Sequence, residues 1–171
     1  MQPSDFIPEL EKHLEKFVDE TVFQLKMEGK TINIRTMEGK AAVADAIEFL
    51  KTCPAVDPLK FSPLLEKAAL DHVRDISKNS VSGHEGSDGS SMVSRVERYA
   101  AWSGSIAENI DMGNSSSTDI VIALIVDDGV PTRGHRNNLF DASLHFAGSA
   151  LGPHPEYDNV CVIDFAGVVK D

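Results

Sequence analysis

LEKAALDHVRDISKNSVSGHEGSDGSS, residues 65–91, joins two kinds of chain in one stretch. In its first half Leu65, Ala69, Val73 and Ile76 recur at helical spacing and form one apolar stripe. Ser62, just upstream, is a capping residue, so the spacing predicts a helix from a Ser62 cap to about Lys78. The second half, NSVSGHEGSDGSS at 79–91, is rich in Gly and Ser and almost without apolar side chains, which makes it a loop. A helix that needs a core on one side, followed by a polar loop that carries His84, places fold and chemistry next to each other.

Upstream, Ser4 can cap a helix over 4–25, with Phe6, Leu10, Leu14 and Phe17 at helical spacing. TINIR at 31–35 alternates like a short strand, and residues 40–51 read as a second helix ended by Pro54. Downstream, a short helix is expected around Val93 to Ala100 and a polar loop at DMGNSSST, 111–118. IVIALIV at 120–126 fits either a strand or a buried helix, since periodicity alone does not separate them. PTRG at 131–134 is a turn, and LHFAGSALG (144–152) and NVCVIDFAGVV (159–169) read as two late strands around the turn GPHPEYD. Helices early and strands late point to an α+β or layered fold rather than a βαβ sheet.

The 171 residues suit one domain, and an aromatic share of 6% leaves the core to aliphatic packing. With 27 acids against 16 basic residues the net charge is −11, which argues against nucleic acid or anionic lipid as partner, because phosphate binding needs a basic surface. Cys53 and Cys161 are too few for a disulfide scaffold. No apolar run reaches membrane-spanning length, and MQPSDFIPELEKHLEKF is too polar for a signal peptide.

Three segments carry titratable side chains in polar surroundings: SGHEGSDGSS with His84, SIAENI with Glu108, and VDDGVPTRGHRNNLFD with Asp127, Asp128 and His135. HEG is not the HExxH of a zinc peptidase, GSDGSS lacks the lysine of a phosphate loop, no serine sits in GxSxG, and no cysteine pair has zinc-finger spacing. Two imidazoles and one or two carboxylates make a donor set for zinc or another divalent cation, with a coordination position left open. The plain alternative is a structural cluster in which Glu108 bonds loop amides and water satisfies the histidines. His72, beside the buried stripe, reads as a packing or hydrogen-bonding residue. Arg95 and Arg98 suit loop carbonyls, Asp88 suits a turn, and Arg133 and Arg136 suit acids such as Asp127 or Asp141. Asn114-Ser115-Ser116 has the form of a glycosylation sequon.

In order along the chain, LEKAALDHVRDI, SGHEGSDGSS, AENI, RGHRNNLFD, HFAGSALG and VCVIDFAG resemble the SCP domain of the CAP superfamily of cysteine-rich secretory proteins, antigen 5 and pathogenesis-related-1 proteins. The likeness is to the cysteine-poor bacterial-type branch, with GHR in place of GHF or GHY. It covers about 39–169, so that residues 1–38 form an N-terminal extension and 39–171 the SCP-like domain. The resemblance implies an α+β fold, a three-layer α-β-α sandwich with a central antiparallel sheet. It also implies a cleft in which His84, His135, Glu108 and Asp127, with Asp128 as the alternative, hold a divalent cation. The helix before the GH motif is then IVIALIV. By the same resemblance the protein is exported, its leader removed, and acts as a ligand-binding or interaction module for lipid or another protein. The alternatives are a metal-dependent hydrolase with Glu108 as general base and a lipid or sterol carrier.

Overall fold

The structure is a computed structural model that describes residues 2–27 and 29–170; Met1 and Asp171, the outer ends of the two expected segments, and Glu28 lie outside the described residues. The chain forms two compact units, one of Met1–Val56 with Ile122–Phe140 and one of Asp57–Val121 with Asp141–Asp171.

In the first unit a 3-10 turn at Pro3–Phe6 leads into α1 (Ile7–Glu15). The helix expected to reach residue 25 stops at Glu15, and β1 (Val22–Met27) pairs antiparallel with β2 (Lys30–Arg35). The reason is local. Asp19 accepts the amide hydrogens of Thr21 and Val22 at 2.8 Å each, a turn that competes with helix, and Val22 and Phe23 favour extended chain. Phe23 then faces Ile34 and Leu25 faces Ile32 across the hairpin.

Next, α2 (Lys40–Thr52) buries Ala42, Val43, Ala46, Ile47 and Leu50. The turn that leads into it is held from far along the chain: the Asp128 carboxylate accepts from the amides of Met37, Glu38 and Gly39 at 2.7, 2.8 and 3.0 Å. Asp128→Ala is expected to cost about 1.5–3 kcal/mol, seen as a lower urea midpoint at unchanged slope, because charged acceptors of amide hydrogens are worth that much. Further on, α5 (Ser117–Val126), which belongs to this unit from Ile122 onward, makes IVIALIV a helix, with Ile120, Ile122, Leu124, Ile125 and Val126 buried, and α6 (Gly134–Leu139) carries the GHR segment.

The second unit is built on a sheet of β3 (Lys60–Phe61), β4 (Ala101–Met112), β5 (Phe146–His154) and β6 (Asp158–Lys170), in the order β3-β5-β6-β4. The three long strands are antiparallel, as expected, while the two-residue β3 pairs parallel with β5 at the edge. Its direction is set by the helix that follows at once, α3 (Pro63–Asn79), which Ser62 caps through the Leu65 amide. One strand was not foreseen. β4 mixes Ser, Gly, Glu, Asn and Asp into its alternation and has no apolar run, so its extended form comes from pairing with β6 rather than from its own composition. The short helix α4 (Met92–Val96) ends earlier than expected, and Ala101 already belongs to β4.

A helical layer lies on one face of this sheet. The stripe residues Ala69, Val73 and Ile76 pack on Val160 and Val162, and Leu65 and Ala68 pack with Val96 and Ala166. Close approach depends on Gly148: a Cβ there would strike the Glu66 amide nitrogen and come within 2.5 Å of the Leu65 carbonyl carbon. Along β6 the residues that face α3 are Val160, Val162, Asp164 and Ala166, by alternation, so one acid interrupts an apolar row. Both cysteines are free; Cys161 is buried, and burial pushes its thiol up to about 11.

Candidate functional site

The loop after α3 is held from beneath. His72, fully buried, places Nε2 at 2.8 Å from the Gly83 carbonyl and must donate there, so the ring is the Nε2–H tautomer; burial keeps it neutral by lowering its pKa. Asp75 accepts from the Ser87 amide at 2.6 Å and from its hydroxyl at 2.5 Å. Asp88 accepts from the Ser90 amide at 2.9 Å and pairs with Arg98 at 3.0 Å, the turn role expected of it. At Gly86 a Cβ would lie 2.5 Å from Ser90 Oγ and 2.8 Å from Asp88 Oδ1, so a side chain there would have to displace these two hydrogen-bonding groups.

At the head of this loop His84 is half exposed and Glu108, from β4, is buried. His84 Nδ1 donates to Glu108 Oε1 at 2.7 Å, and Arg95 Nη2 donates to Glu108 Oε2 at 2.7 Å. Arg95, itself 2% exposed, also donates from Nη1 to the carbonyls of His84 and Ser90 at 3.1 and 3.0 Å. One guanidinium from α4 thus holds both the backbone of the loop and the carboxylate that orients its histidine. Burial alone would raise the Glu108 pKa; the His84 hydrogen bond and the charge and hydrogen bond of Arg95 outweigh it and hold the carboxyl below its ordinary value. With the proton on Nδ1, the lone pair of neutral His84 is on Nε2, the outward nitrogen.

Directly across the sheet from Glu108 lies Asp164, which is fully buried and finds no donor for either oxygen among the described residues. Burial first, and the charge of Glu108 second, raise its pKa far above the usual carboxylate range. The hydrogen bond open to it is therefore as donor, its protonated oxygen toward Glu108. Two carboxyls this close carry one negative charge, and it stays on Glu108, where Arg95 is. The carboxylate contact of Arg95 and the whole part of Asp164 escaped the sequence reading, although a lone acid at an inward position of an apolar strand was a visible signal.

The other predicted pair belongs to the first unit. His135 stands at the start of α6, and its Nδ1 donates to Asp127 Oδ1 at 2.7 Å, while the His135 amide donates to Oδ2 at 2.9 Å. Asp127 is buried at the end of α5 in a left-handed conformation, φ 55°. Arg133, also left-handed at φ 52°, is fixed by two 2.7 Å bonds to Glu38 and one of 3.1 Å to Asp45. Arg136 donates to the carbonyls of Ile125 and Val126 and to Asp45. The arginines that flank His135 thus pair with Glu38 and Asp45 rather than with the carboxylates of Asp127 or Asp141. Of the two neighbouring acids, Asp127 meets His135, and Asp128 is committed to the amides before α2.

Each unit therefore presents an imidazole backed at Nδ1 by a buried carboxylate. A carboxylate bonded to Nδ1 fixes the ring and its tautomer and leaves the Nε2 lone pair to act as a donor atom. Among the described residues no group of three or more His, Cys, Asp or Glu side chains is arranged to hold a metal ion. Glu108 and Asp127 stand behind the rings of His84 and His135, hydrogen-bonded to Nδ1.

An open, largely antiparallel sheet with a helical layer and a histidine loop after the first long helix is an α+β fold of the SCP type. The CAP pattern, that of the cysteine-rich secretory protein family, matches residues 55–165, and the chain belongs to this family. Two solved structures share the fold. An outer surface protein from Borrelia burgdorferi is 18% identical at a TM-score of 0.54, over 65% of this chain and 78% of that one. An extracellular protein containing an SCP domain from Bacillus anthracis is 17% identical at a TM-score of 0.53, over 80% of this chain and 46% of that one. No curated protein matches the sequence. Among the described residues no helix is long and apolar enough to cross a membrane.

Proposed function

We propose that this CAP-family protein is an extracellular ligand-binding or interaction module that binds divalent cations, zinc foremost, through Nε2 of His84 in the second unit and, independently, through Nε2 of His135 in the first. The observation that carries this reading is the 2.7 Å bond from His84 Nδ1 to a carboxylate that is itself locked by a buried arginine. It fixes ring and tautomer before any ion arrives, which lowers the entropy cost of binding. A bound ion would supply a Lewis-acid point for a carbonyl or anionic group of a ligand. The related proteins described as an outer surface protein and as extracellular support the placement outside the cell.

Calorimetric titration with zinc tests this. Binding is expected at neutral pH and weakens on acidification, because protons compete with the ion for the ligand nitrogens. Glu108→Gln is expected to weaken it about 10- to 100-fold, because the charged acceptor that orients the His84 ring is lost. Zinc binding that survives undiminished in the His84→Ala, His135→Ala double variant sinks the proposal.

A hydrolytic reading draws on the same pair, since an exposed imidazole backed by a buried carboxylate is also the arrangement of a general base. In that reading His84 takes the proton, because both oxygens of Glu108 are already engaged. Peptide cleavage that persists in a chelator and disappears in His84→Ala would favour it over the binding module, because zinc on Nε2 would occupy the nitrogen that takes the proton.

A further inference from the structure

Beside the His84 ring the surface dips into a hollow of about 360 Å3, bounded by His84, Glu85, Gly89, Ser91, Met92 and Val93. The walls are of two kinds. Met92 and Val93, from the first turn of α4, are half-buried apolar side chains. Glu85 is an exposed carboxylate with no hydrogen-bond or ion-pair partner among the described residues. It differs in this from the acids around it: Asp75 is bonded to Ser87 and Asn79, Asp88 to Ser90 and Arg98, and Glu108 to His84 and Arg95. At Gly89 the wall has no side chain, and nothing lies within 4 Å of where its Cβ would be.

An apolar floor with one uncommitted negative charge at its rim selects a ligand that is aliphatic along its length and cationic at its end. We propose that this hollow receives the side chain of a lysine or arginine from a partner polypeptide, the methylene stem on Met92 and Val93 and the charged head at Glu85. Lysine and arginine are the side chains that combine an apolar stem with a charged tip. The size agrees: an open hollow of this volume seats one side chain, whereas a sterol or long acyl chain needs most of its surface enclosed. The charge agrees as well, since a chain of net charge −11 draws basic segments toward itself. The inference goes beyond cation binding by the histidines and does not depend on it.

The test uses the full chain with carbon-labelled methionine methyl groups, in buffer with a chelator so that metal plays no part. Capped glycine peptides with a central lysine, norleucine or glutamate are titrated in, and the Met92 methyl signal, assigned from Met92→Leu, is followed by NMR. The lysine peptide is expected to shift it with a Kd of about 1–10 mM, the range for a single side-chain contact. The norleucine peptide, with the same stem and no charge, is expected to bind more weakly, and the glutamate peptide not at all. Glu85→Gln is expected to weaken the lysine peptide about two- to fivefold, the worth of one exposed ion pair, and to leave norleucine unchanged. The variant alters one exposed side chain, and an unchanged amide spectrum verifies its fold. A Met92 signal that does not respond to lysine, equal binding of lysine and norleucine, or a Glu85→Gln variant that binds lysine as the parent does each overturns the proposal.

Discussion

Arg95→Met is expected to destabilise the protein by about 3–5 kcal/mol, a fall in melting temperature of roughly 6–20 °C for a chain of this length. The guanidinium is 2% exposed and the Glu108 side chain 1% exposed, so the pair is dry, and removing one partner leaves the other charge in the interior. Glu108 would lose its buried cationic partner and keep the hydrogen bond of the half-exposed His84, and the carbonyls of His84 and Ser90 would lose their Arg95 donor. Much of the loss comes from the stranded charge rather than from the worth of the bond. The double variant Arg95→Met, Glu108→Gln is therefore expected to recover a large part of it, because no charge is then left unpaired. Urea denaturation of the four proteins of this cycle measures both effects. A single variant within about 1 kcal/mol of the parent would show that the pair is wet in solution.

Asp164→Asn is expected to act in the opposite direction and to do so in proportion to pH. Burial and the neighbouring Glu108 charge raise the Asp164 carboxyl from 3.8 to about 9. Between these values the folded chain holds a proton that the unfolded chain has released. Stability is then full below the unfolded value and falls as the pH rises toward the folded one. An asparagine has no proton to hold, yet its amide can still donate to Glu108. The variant should gain on the parent by about 1.4 kcal/mol per pH unit across the window, or about 3 kcal/mol between pH 5 and pH 7. Urea midpoints of both proteins over that range measure the gain. A difference that stays flat with pH would mean that Asp164 is ionised in the folded protein.

Much of the fold was legible, and the reason lies in its period. The stripe Leu65, Ala69, Val73 and Ile76 describes a helix that must lie against something apolar, and the two late strands supply the row it covers, Val160, Val162 and Ala166. The misreadings share a cause too. Residues 16–25 keep apolar residues at helical spacing, but the Asp19 side chain bonds the Thr21 and Val22 amides and turns the chain into a hairpin. β4 has no apolar run to betray it, because Glu108, Asn109 and Asp111 are buried for the sake of their partners and not for their hydrophobicity.

The candidate site divides in the same way. His84, Glu108, His135 and Asp127 were identifiable because short motifs place polar, titratable residues where a core would have none. The resemblance put Asp127 ahead of Asp128 as the fourth member of the site; the left-handed turn at Asp127 sends one acid to His135 and the other to the amides ahead of α2. The amino-acid sequence by itself determined the long helix, the late strands, the acidic charge and the residue types available for chemistry, because these follow from local spacing and composition. Only the tertiary structure decided which atoms of those residues remain for a ligand. Glu108, Arg95 and Asp164 come from different elements, and a carboxyl group keeps or loses its proton according to burial and the charges that folding brings beside it.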